Sequence, residues 1–92
     1  MEKEIEKVLD DTIANENIVA CLSANRHGLC IGARGNISSQ SSGLLVALLD
    51  QAQKLEPQSG PPVVVLETSK NTCLIHKHGV TGVIVKKLDQ PN

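Results

Sequence analysis

The chain has 92 residues, a formal net charge of −1 from nine basic and ten acidic side chains, and no Phe, Tyr or Trp. Lys and Arg are spread along it with no basic cluster, which argues against a nucleic-acid partner. One domain of this size, residues 1–92, buries only about 60 to 65% of its unfolded surface, and without aromatic side chains its interior must be aliphatic, so a staple or a partner subunit is expected.

No apolar run approaches the roughly 20 residues of a membrane span, and the start Met1-Glu2-Lys3 has neither a signal-peptide core nor the glycine needed for myristoylation. The expectation is a cytoplasmic protein without direct membrane insertion. Cys21, Cys30 and Cys73 each sit in an apolar stretch outside any C-x-x-C pattern, and are read as reduced, buried thiols.

In chain order, Glu2 to Ala14 places Ile5, Val8, Leu9, Thr12 and Ile13 on one side and Glu2, Lys3, Glu6, Lys7 and Asp10 on the other, the pattern of a helix docked by one stripe. Asn15 and Asn17 suit its end, through the tolerance of Asn for the left-handed conformation. Ile18 to Ser23 and Leu29 to Ala33 read as two strands of a hairpin whose loop ends at Gly28. The unalternating first run predicts a strand covered on both faces. Gly32-Ala33-Arg34-Gly35 ends the second strand and has neither the Gly-Lys-Ser/Thr of a P-loop nor the helical context of a KH clamp.

Ser38 is the expected N-cap of a long helix running to Leu55. Leu44, Leu45, Leu48, Leu49, Ala52 and Leu55 form its apolar face, with Val46 and Gln53 at the margin beside Leu49 and with Asp50 and Lys54 pointing away. That face is wider than one sheet contact requires. The breaker-rich loop Glu56 to Pro62 then delivers the chain to Val63, Val64, Val65 and Leu66, a strand that Pro62 assigns to the sheet edge. Two more strands follow, Cys73 to Lys77 and around Val83 to Val85, with a turn from His78 through Gly79, Val80, Thr81 and Gly82.

The resulting order, helix, strand, strand, helix and three strands, is an α+β domain with a five-stranded antiparallel sheet, an N-terminal helix, and one long helix between strands 2 and 3. Its chemistry is sparse. His76 and His78 project from one side of an extended segment, and Cys73 lies nearby, so a small metal-binding or enzymatic protein using Cys73, His76 and His78 is one reading. No third ligand stands at useful spacing, and the expectation is no metal, no cofactor and no catalytic residue.

Leu9, Asp10, Asp11 and Thr12; Ile18 and Val19; Gly28 and Leu29; Gly32, Arg34 and Gly35; Ser38; Gln51, Ala52, Lys54 and Leu55; Pro62, Val63, Val64, Leu66 and Glu67; Ile75, Lys77 and His78; and Val83, Val85 and Lys87 together resemble the Roadblock superfamily of small dimerising domains, most nearly its Ragulator-type members. The likeness runs from Leu9 to Leu88. The loop after Leu55 is slightly shorter than the family's, and Gly79-Val80-Thr81-Gly82 stands where the family has an acidic residue, Gly, Ile and Thr, which leaves the register of the last strand open. The resemblance implies a Roadblock-like fold that pairs with another Roadblock subunit as a heterodimer, through the long helix and the third strand. Val46, Leu49, Gln53, Pro62, Val63, Val64, Val65 and Leu66 are the expected partner interface. It further implies a scaffold complex that holds Rag GTPases on the cytosolic face of the late endosome or lysosome for amino-acid signalling to the TOR kinase, with a lipidated partner as anchor. A homodimeric Roadblock module serving another GTPase or a motor is the alternative.

Overall fold

The computed structural model describes residues 2–87. Met1, the side chain of Glu2 and residues 88–92, with Leu88 at the end of the expected likeness, lie outside the described part. The elements are α1 (Glu2–Ile13), β1 (Ile18–Ala24), β2 (Cys30–Gly35), α2 (Ser42–Leu55), β3 (Val63–Glu67), β4 (Asn71–His78) and β5 (Val80–Lys87). All strand pairs are antiparallel, in the order β2-β1-β5-β4-β3.

Neighbouring residues of a strand point to opposite faces, and the two helices divide those faces between them. Leu22, Ala24, Ile75 and Val83 meet Leu45, Val46 and Leu49 of α2 in one aliphatic core. Cys21 and Gly32, at the alternate positions, meet Leu9 of α1. The result is three layers, α1, sheet and α2, and β1 is covered on both sides as its unbroken apolar run requires.

The expected Ser38 cap exists but serves an intervening 3-10 turn, Ser39–Ser41: its Oγ accepts from the Gln40 N–H at 3.2 Å, and α2 starts only at Ser42. Ser42 turns its hydroxyl inward and donates to the Gly28 carbonyl at 2.6 Å, fastening the β1–β2 hairpin to the start of α2. Asn15 also differs from expectation. Among the described residues only glycines have positive φ, and Asn15 ends α1 through its side chain, accepting from the Asn17 N–H at 2.9 Å.

The last turn is tighter than Gly79 to Gly82. β4 and β5 pair up to His78 opposite Val80, with Gly79 alone at the bend at φ 76°, a conformation glycine adopts without a Cβ clash. The register this sets puts Val83 between Leu22 and Ile75, in the centre of the core.

Candidate partner-binding surface

Among the described residues β3 has β4 on one side and no strand on the other, so its outer backbone N–H and C=O groups are open to pairing. Pro62 immediately precedes it, removing a donor where a central strand could not spare one. Val63 and Val65 are each 56% exposed, Leu66 is partly exposed, and Pro62 and Val64 are half-buried, Val64 by packing on the core. An apolar strand with a free edge is an aggregation hazard unless something covers it.

The apolar residues that the helix exposes are not the ones expected. Val46 and Leu49 do not border an outer surface: they are 7% and 3% exposed and lie in the core against Leu22, Ile75 and Val83. Gln53 is half-buried, its Nε2 donating to the Ser59 carbonyl at 3.5 Å. The face of α2 on the sheet is therefore Ser42, Leu45, Val46 and Leu49. At 3.6 residues per turn, Leu44, Leu48, Ala52 and Leu55 form a second stripe about a third of a turn away. Leu44 is 66% exposed and Leu55 83%, with Leu48 and Ala52 half-buried between them.

The excess width of the apolar face is thus real, but it lies on the opposite margin from Val46. Leu55 and Ala52 line a shallow depression with Pro62 and Val63, so the stripe runs into the β3 edge as one surface. Nothing in the sequence distinguishes Leu44 and Leu48 from Leu45 and Leu49. The available signal was the width itself, since six apolar positions exceed what one contact covers.

On the opposite face α1 spans β1 and β2 and leaves the β4 side open. A groove of about 840 Å³ follows, with Ile5 and Val8 on one wall and Leu74, Ile84 and Val63 among its strand residues. Sequence reading did not foresee it.

The Cys73, His76 and His78 reading does not survive the geometry. Cys73 packs against the α2 core, whereas His76 and His78, three and five residues further along the strand and so out of phase with it, line the groove on the other face. Burial pushes the Cys73 thiol above its ordinary pKa, the reverse of what activates a nucleophile. Among the described residues no group of three or more His, Cys, Asp or Glu converges as a metal site.

Comparison with known proteins fits this architecture. Residues 1–87 match the family model described as Ragulator complex protein LAMTOR5. A Xenopus laevis Ragulator complex protein LAMTOR5 is 36% identical over 89 residues, covering 96% of this chain and 98% of the relative. Among solved structures, Myxococcus xanthus MglB superposes with a TM-score of 0.78 at 18% identity, over 94% of this chain and 71% of that one. A Roadblock/LC7 domain from Streptomyces avermitilis gives 0.74 at 11% identity, over 88% and 76%. At these identities the structural likeness is one of fold, and the fold is Roadblock/LC7.

Proposed function

This chain belongs to the family of Ragulator complex protein LAMTOR5, also called hepatitis B virus X-interacting protein, and from that premise we propose that it is a non-catalytic scaffold subunit of a Ragulator-type complex. It pairs with another Roadblock subunit as a heterodimer. The pair takes its place in a larger scaffold that holds Rag GTPases at the lysosomal surface for amino-acid signalling to the TOR kinase. No helix among the described residues is long and apolar enough to cross a membrane, and in this reading a lipidated partner supplies the anchor.

The observation that carries the proposal is the continuity of the Leu44, Leu48, Ala52 and Leu55 stripe with the unpaired β3 edge at Pro62 to Leu66. A second domain of the same architecture satisfies both at once. Its own β3 extends the sheet by main-chain hydrogen bonds, while its long helix covers the stripe. The interface is accordingly Leu44, Leu48, Ala52, Gln53 and Leu55 with Pro62, Val63, Val64, Val65 and Leu66, and Val46 and Leu49 support it from inside.

Co-expression with a candidate Roadblock subunit, followed by mass measurement in solution, tests this. A one-to-one heterodimer preferred over either self-assembly is the expected result. A tight self-dimer indifferent to the partner would move the assignment to a homodimeric Roadblock module serving another GTPase or a motor.

A further inference from the structure

α1 rests on the sheet along one flank only. It packs on β1 and β2, while Ile5 and Val8 on its other flank face the groove, Val8 at 62% exposure. Among its described side chains Leu9 alone is buried. Leu9 sits where the sheet has no side chain: a Cβ on Gly32 would fall 2.7 Å from Leu9 Cδ1, so the helix approaches bare backbone there. Ile5, Thr12 and Ile13 are only half-buried, and the rest of the hold is ionic. Arg34 reaches up from β2, its Nε donating to Asp10 Oδ1 at 2.8 Å and its Nη2 to Glu6 Oε2. Both carboxylates are more than half exposed, so water and salt screen the pair. Under this helix lies Cys21, 1% exposed, with Sγ 3.6 Å from the Leu9 carbonyl.

We propose that α1 is a latched flap: it lifts from β1 and β2 as a unit while the sheet and α2 stay folded, Arg34 being the latch. In the lifted state Cys21 and the Gly32 backbone are uncovered, and the groove beside α1 widens into an apolar trough across the whole sheet face. The two sides of the sheet differ sharply in what secures them. α2 contributes three buried aliphatic side chains to the core, α1 one, and segments with few buried apolar contacts open below the free energy of global unfolding.

Cys21 makes the motion measurable, because a neutral alkylating reagent reaches its sulfur only after α1 moves. The full chain is treated with iodoacetamide under native conditions. Alkylation of Cys21, Cys30 and Cys73 is resolved by peptide mass, alongside amide exchange at Leu22 and Ile75. The expected result in Arg34→Gln is a Cys21 rate raised roughly three- to tenfold, the scale of losing exposed ion pairs, with Cys73 and the Ile75 amide unchanged. In the unaltered chain, raising ionic strength raises the Cys21 rate several-fold for the same reason, which reads the latch even if the variant does not fold. Cys21 alkylation that tracks Ile75 exchange in every condition would overturn the proposal, since α1 would then open only with the whole domain.

Discussion

Leu49 and Leu55 carry the same side chain on the same helix and fail differently when changed. Leu49→Ala opens a cavity among Leu22, Val46 and Ile75 and is expected to cost about 2 to 5 kcal/mol of stability, read by urea unfolding. Leu55→Glu, on a side chain 83% exposed, is expected to leave the unfolding free energy within about 0.5 kcal/mol. It weakens pairing instead, which sedimentation at graded concentration measures. Sequence periodicity finds that both are apolar and helical, but which of two adjoining stripes meets the sheet depends on how α2 rolls, and Ser42 decides that by bonding inward to Gly28. The thiols add a pH signature. Burial raises the Cys73 pKa, and burial, partly offset by the Arg34 cation, raises that of Cys21. The unfolded chain therefore loses these protons first as pH rises, and binds fewer than the folded chain. Stability is expected to be intact below the ordinary thiol value of about 8.5 and to fall above it, seen as a declining thermal midpoint in alkaline buffer.

Among the elements, β3 is the one whose place the sequence specifies most completely: three valines predict the strand, and Pro62 excludes it from the centre of the sheet. Val65→Lys puts a charge on that edge, where native sheets use charges to discourage pairing. The variant is expected to remain folded by circular dichroism, because Val65 is mostly exposed, and to bind the proposed Roadblock partner at least tenfold more weakly by titration. The β4–β5 hairpin was less legible, since two glycines three residues apart suggest a loop and only the pairing of His78 with Val80 shows that one of them suffices. α1 lies between these cases. Its stripe is plain, but the role of its charged side was not, although Glu6 and Asp10 one turn apart repel each other unless a cation bridges them. Arg34, 24 residues beyond Asp10, is that cation, and its guanidinium is held protonated by the hydrogen bonds to Asp10 and then Glu6.

At the level of the whole molecule, a small three-layer domain leaves apolar surface on both outer sides: the α2 stripe with the β3 edge on one, the groove beside α1 on the other. Association that covers the first should stabilise the fold by mass action. The thermal midpoint is therefore expected to rise with the concentration of the proposed Roadblock partner, and a midpoint independent of it would argue that the surface stays uncovered. The aliphatic interior has a further consequence of an optical kind. Lacking indole, phenol and phenyl rings, the chain has almost no near-ultraviolet absorbance or intrinsic fluorescence, so such a signal in a purified sample belongs to whatever has bound it, and any assembly it joins can be watched through the companion's chromophores without a label.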